Sequence, residues 1–178
     1  MLFGGPASER DRSAREADVG TTFVNIDGRG FWMSDSVLEL WLRLLALHLE
    51  DTVESGTVAT KIRDQWLLAS RGYFNGSVPA GLDEAISTSE GAALVRAAIH
   101  SLLQALAEAP SHLGKDVFNL MGFSGSFMRD IETQRLVEVG RAFLDLLDGK
   151  ITAGPSDSSF MPGSVVAEPG TAADRPRD

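Results

Sequence analysis

The side chains best suited to proton transfer or metal binding are three histidines, and their spacing argues against a metal site. None of His48, His100 and His112 has a second histidine four residues away, and the chain contains no cysteine. Disulfides, thiolate nucleophiles and iron–sulfur clusters are therefore excluded. His48 precedes Glu50 near a predicted helix end, where a histidine more often interacts with the helix dipole than acts as an acid or base. We expect no metal and no cofactor.

A serine in a glycine-rich loop is the nearest approach to a catalytic nucleophile. Residues 122–126 are similar in form to the turn that presents the serine of many hydrolases, but they end in Ser rather than Gly. That turn follows a strand, whereas the preceding segment here is predicted to be helical. Ser124 could combine with His112 and with Asp116 or Asp130, but we favour a plain loop between helices. The sequence favours a protein that is not an enzyme.

Two predicted loops, 72–79 and 122–129, place aromatic residues beside glycine and arginine. Tyrosine, tryptophan and arginine are enriched at the centres of binding interfaces. If the two loops converge, they form an interaction surface or the rim of a pocket. The alternative is that the aromatic side chains close the ends of the helices, as most aromatic residues in a domain of this size are core residues. The candidate interaction residues are Arg71, Tyr73, Phe74, Phe123, Phe127 and Arg129.

A competing hypothesis is a polar pocket that would belong to a small-molecule-binding protein or a hydrolase-like enzyme. Its residues would be Arg63, Asp64, Arg71, His112 and Asn119. Convergence of several of these side chains in one deep pocket would favour that hypothesis, and their separation on different faces would argue against it.

The elements that must position these residues follow from the spacing of apolar side chains. Thr21–Ile26 and the residues after an Asp27-Gly28 turn predict a short β-hairpin. Helices are predicted at 37–50, 57–71, 89–109 and 130–148, with short helical pieces at 82–86 and 116–121. We expect an all-α fold, a four-to-five-helix bundle or orthogonal array, with the hairpin at its N-terminal end.

Local signals give the predicted helices more detail. In the first, Glu39, Arg43, Ala46 and Glu50 follow one narrow line, which we expect to be exposed, with Glu39 and Arg43 as an i,i+4 pair. The last helix is expected to be capped by Asp130. It also contains a glycine at position 140, which costs about 1 kcal/mol relative to alanine and predicts close approach of a neighbouring backbone.

The ends of the chain differ in composition from its centre. Residues 1–20 are polar and charged, and residues 152–178 are rich in Pro, Gly and Ser. Such segments bury too little apolar surface to offset the entropy of ordering. We therefore predict one helical domain at 21–151 between two disordered segments, although Phe160-Met161 and Val165-Val166 could dock locally on it.

Composition limits the function further. The chain has 178 residues, 43% of them hydrophobic, and a net charge of −9. That charge repels phosphate backbones, and no secretory signal or membrane span is apparent, so we expect a cytoplasmic protein that binds neither nucleic acid nor membranes. Our leading hypothesis is a protein-interaction domain, in its most specific form an acidic immunity- or inhibitor-type protein that binds a basic effector. Self-association through the leucine-rich first helix is a second form.

Overall fold

The computed structural model describes residues 20–49, 57–72, 77–123 and 125–164 of the chain. The described part is rich in helix, which confirms the coarse prediction, and its strands form two separate two-stranded antiparallel sheets. The elements, in chain order, are β1 (Thr21–Ile26), β2 (Arg29–Ser34), α1 (Asp35–Leu49), α2 (Val58–Ala69), α3 (Leu82–Ala85), α4 (Ser89–Glu108), β3 (His112–Leu113), α5 (Lys115–Asn119), β4 (Ile131–Glu132) and α6 (Thr133–Leu147). Across the described ranges, no helix combines the length and hydrophobicity that a membrane span requires.

The predicted hairpin is present. Asp27 and Gly28 both have positive φ angles, 51° and 76°, as the favoured two-residue hairpin turn requires. Ile26 therefore pairs with Arg29, and the register continues to Thr21 opposite Ser34. Helix α1 follows β2 without a loop, so the hairpin is tied directly to the centre of the fold.

Helix α1 is the centre of the core. Trp41 and most of its leucines are almost fully buried, because α1 contacts α2, α4 and both strands of the hairpin. Leu44 is half-buried and Leu47 is 42% exposed. The predicted exposed line along this helix is wrong: Glu39 is 8% exposed and Ala46 0% exposed. The neighbouring elements cover more of the circumference of α1 than its own polar spacing indicated.

Side-chain caps begin two of the long helices. The hydroxyl of Thr57 accepts a hydrogen bond from the Thr60 amide at the start of α2, and Thr88 does the same for Gly91 in α4. These starts lie within a residue or two of those predicted.

Helix α6 begins later than the predicted cap at Asp130. Ile131 and Glu132 instead form β4, which pairs with β3 just after α4. Asp130 accepts a hydrogen bond from the Lys115 amide, at 3.0 Å, and so joins the start of α5 to this short sheet. The prediction failed because the pairing joins segments that are distant in sequence and too short to show a strand pattern.

Gly140 lies where α6 approaches α1 and α4. A Cβ atom at this position would lie 2.6 Å from Leu103 Cδ2 and 2.9 Å from Trp41 Cη2. The close approach predicted from the sequence is therefore present, but the neighbours are side chains rather than backbone.

Residues 152–164 run along the hairpin. The Gly30 amide donates to the carbonyl oxygen of Ala153 at 2.8 Å, and Trp32 Nε1 donates to that of Pro155 at 2.9 Å. Both donors belong to the outer edge of β2. One backbone bond and one side-chain bond thus attach this part of the chain to β2.

The later part of this segment contacts the core and α6. Phe160 packs against Phe31 with ring centroids 6.0 Å apart, and Arg135 Nε donates to the carbonyl oxygen of Gly163 at 2.8 Å. These contacts differ from the disorder expected from Thr152 onward, while the expected local docking of Phe160 is found. Residues 1–19 and 165–178, where the rest of the disorder was predicted, lie outside the described residues. The domain boundaries themselves stay a prediction.

Candidate interaction surface

Helix α5 and the loop after it expose three large apolar side chains. Val117, Leu120 and Met128 are 65%, 89% and 81% exposed. We call these three residues the α5 face. Isolated exposed apolar residues are ordinary, but three on one short segment are a feature of binding surfaces. None of the three is among the predicted interaction residues, although 116–121 holds more apolar residues than so short a helix can bury.

An aromatic cluster lies beside the α5 face. The ring centroid of Phe127 lies 5.8 Å from that of Phe118, which is buried, and 5.6 Å from that of Phe123. The side chain of Asn119 both donates to the Phe127 carbonyl oxygen and accepts from the Phe127 amide, at 3.1 and 2.7 Å. These contacts hold the loop against α5 and so fix the position of the α5 face.

Arg43 connects the aromatic cluster to α2. Its guanidinium carbon lies 5.4 Å from the centroid of the Phe123 ring, within the range of a cation–π interaction. Its Nε donates to the hydroxyl of Ser70 at 2.8 Å, and that hydroxyl donates to the carbonyl oxygen of Leu67. Ser70 is fully buried. Arg43 was predicted to pair with Glu39 on an exposed edge, but it is half-buried and has these partners instead.

A polar cleft of about 290 Å³, which we call the arginine cleft, opens where Arg43 meets the end of α2. It is lined by Arg43, Arg71, Met121 and Gly122. Burial lowers the pKa of Arg43 from its ordinary value, and the positive charge of Arg71 lowers it further. Two cationic side chains therefore face one space of modest size.

The candidate interaction residues fall into three groups. Arg71 and Phe123 lie beside Arg43, and Phe127 packs against Phe123. Arg129 lines a separate groove of about 240 Å³ between α1, α6 and the loop that carries Met128. The last two candidates, Tyr73 and Phe74, lie outside the described residues, as does Ser124 of the weighed catalytic set.

The residues of the hypothetical polar pocket are not gathered in the cleft that Arg71 lines. Arg63 forms an ion pair with its neighbour Asp64 at 2.7 Å on α2. His112 is exposed and its Nδ1 hydrogen-bonds with the hydroxyl of Ser111 at 3.1 Å. Only Arg71 of the proposed set lines this cleft.

The other two histidines also lie outside the lining of this cleft. His48 Nδ1 hydrogen-bonds with the hydroxyl of Ser101 at 2.9 Å, which links α1 to α4, and His100 is exposed on α4. Within the part of the chain that the structure describes, no three His, Cys, Asp or Glu residues are grouped so that they could hold a metal ion.

Comparison with known proteins finds no family model, no curated protein and no solved structure that matches this chain.

Proposed function

We propose that this chain is a non-enzymatic protein-interaction domain whose contact surface is centred on the α5 face. The observation that carries the proposal is the exposure of Val117, Leu120 and Met128 on a segment held in place by the aromatic cluster. Met128 of the α5 face, and the phenylalanine and arginine side chains near it, are of the types enriched at protein interfaces. A supported surface also costs little entropy to order when a partner binds.

The net charge supports a more specific form of the proposal, an immunity- or inhibitor-type protein with a basic effector as its partner. A charge of −9 attracts a basic protein over distances longer than a contact and accelerates its association. Close to the α5 face the charges are mixed, since Lys115 and Arg129 lie beside Asp116 and Asp130 in sequence. We therefore assign long-range attraction to the whole molecule and short-range contact to the apolar side chains.

Self-association is a further possibility for the same surface. Most leucines of α1, on which the sequence-based hypothesis of a homo-oligomer depended, pack inside the chain, and Leu47 is the one that is exposed, at 42%. A homo-oligomer would therefore use the α5 face, and a light-scattering mass measurement of the purified chain distinguishes it from a complex with a different protein.

A small-molecule-binding protein or enzyme is the second candidate function. It is favoured by one observation, the presence of Arg71 in a cleft beside Arg43.

We also propose that α1, α2, α4 and α6 form a bundle or orthogonal array, because α1 contacts α2 and α4, and α4 contacts α6. A cytoplasmic location is proposed on the absence of cysteine from the sequence.

The experiment is a pull-down from native lysate at low and moderate salt, followed by a binding measurement with the purified captured protein. Leu120→Asp places a charge in the α5 face and is expected to weaken binding about tenfold or more. The matched control is Ala97→Asp, which adds the same charge at an exposed position on α4 and is expected to bind like the original chain. Equal binding by the Leu120→Asp variant would show that the α5 face is not the contact surface. A captured protein that is not basic, or whose association rate is independent of salt, would contradict the basic-effector form.

A further inference from the structure

The arginine cleft contains two guanidinium groups from different helical segments, Arg43 in α1 and Arg71 just after α2. None of the ion pairs among the described residues involves either of them. Most of the cleft lining is polar, and its volume of about 290 Å³ is at the lower end of the range for small-molecule pockets. The cleft therefore has the charge and size for a small anionic group.

Arg43 is held in position before any ligand arrives. The Ser70 hydroxyl, itself fully buried, accepts from Nε, and the ring of Phe123 lies 5.4 Å from the guanidinium carbon. A guanidinium carries five N–H donors, and the Ser70 contact uses one of them. A side chain fixed in this way loses little conformational entropy on binding, which increases the affinity that its remaining donors provide.

Arg43 and Arg71 also repel each other. Burial of Arg43 and the charge of Arg71 act in the same direction, both disfavouring the charged form of Arg43. An anion between the two groups would remove the repulsion and replace part of the lost hydration. Planar forks of N–H donors suit carboxylate and phosphate oxygens in particular.

We propose that the cleft between Arg43 and Arg71 is a binding site for an oxyanion, either a carboxylate or a phosphate group. Arg43 is the preorganised part of the site, and Arg71, which is exposed, supplies the second charge. The proposal does not depend on the α5 face being a protein-binding surface, since a free anion and an anionic group on a larger molecule present the same oxygens.

The test is a titration of the full-length chain at neutral pH with inorganic phosphate and, separately, with acetate. Amide chemical shifts are followed by NMR, and sodium chloride serves as the ionic-strength control. We expect saturable shifts at Ser70, Met121 and Gly122, which surround the cleft. Saturation with phosphate alone assigns the site to phosphate groups, saturation with acetate alone assigns it to carboxylates, and saturation with both supports a general oxyanion site.

Arg71→Gln tests the assignment of residues. This exposed side chain can be replaced without disturbing the core, and the variant is expected to bind about tenfold more weakly, the effect of losing one charge-assisted hydrogen bond. Arg141→Gln, which removes an exposed arginine from α6, is the matched control and should bind as the original chain does. The proposal is overturned if neither anion produces shifts beyond those of chloride, or if the Arg71→Gln variant binds as tightly as the control.

Discussion

Arg43 illustrates how much of a residue's role depends on partners that are distant in sequence. Its local spacing indicated an exposed pair with Glu39, because residues four apart share a helix face. Its actual partners are Ser70, which is 27 residues away, and Phe123 in a loop far along the chain. No local pattern reports such contacts. The aromatic and arginine types in the two loops were nevertheless informative, since Phe123 and Arg71 do reach the same place.

Gly140→Ala is expected to destabilise the chain. The new methyl group would lie 2.6 Å from Leu103 Cδ2 and 2.9 Å from Trp41 Cη2, and Trp41 is completely buried. Overpacking costs about 1–3 kcal/mol, and we expect the upper part of that range, about 2–3 kcal/mol, because both contacts would be shorter than 3.0 Å. The better helix propensity of alanine returns about 1 kcal/mol, so the expected net loss is roughly 1–2 kcal/mol. Urea denaturation monitored by circular dichroism measures the difference.

A second substitution separates overpacking from other causes. Leu103→Ala removes the flexible neighbour, so the loss caused by Gly140→Ala should be smaller in the Leu103→Ala background than in the original chain. If Gly140→Ala is as stable as the original chain, the close approach of α6 to Trp41 is incorrect.

At the scale of elements, the sequence predicted the structures that depend on neighbouring residues. It missed those that depend on contacts between segments distant in sequence. The hairpin turn and the positions of α2 and α4 are encoded within a few residues, and these predictions succeeded. The start of α6 was misplaced because the pairing of β3 with β4 depends on two segments meeting in space. The path of residues 152–164 was missed for the same reason, since it depends on hydrogen bonds from β2 and from Arg135 of α6.

The contact between α4 and the end of α6 gives a prediction on pH dependence. Arg96 in α4 donates to the carboxylate of Asp148 at 2.7 Å and to the carbonyl oxygen of Leu147 at 2.9 Å. Hydrogen bonds from Arg96 and then from Lys150 lower the pKa of Asp148 from its ordinary value of 3.8. Because the folded pKa is depressed, this contribution to stability is present above pH 3.8 and is lost as the pH falls through the folded value.

Arg96→Gln should therefore raise the pKa of Asp148 toward 3.8, as measured by NMR titration of its carboxyl carbon. The difference in free energy of unfolding between the original chain and this variant should narrow as the pH falls through that range. It should not vanish, because the bond to Leu147 is independent of the carboxylate. Arg141→Gln serves as the control, and an equal shift of the Asp148 titration in that variant would contradict the assignment to Arg96.

At the scale of the whole molecule, charge and apolar exposure oppose each other. The chain carries −9 at neutral pH, which keeps copies apart, while Val117, Leu120 and Met128 present a surface that favours association. The net charge follows directly from the numbers of charged residues in the sequence. The sequence could not predict the apolar surface, because exposure of α5 depends on which neighbours leave it uncovered.

This opposition predicts self-association in mild acid. As the pH falls toward the isoelectric point of the sequence, about 4.8, the net charge approaches zero, so copies of the chain repel one another less and the α5 face can associate. Leu120→Asp should suppress the increase in light scattering, because it removes the most exposed apolar side chain, 89% exposed, from that face. Ala97→Asp adds the same charge on α4 and should suppress it much less. Equal suppression by the two variants would mean that net charge alone controls association. Suppression by Leu120→Asp alone would locate the association at the α5 face, independently of any partner.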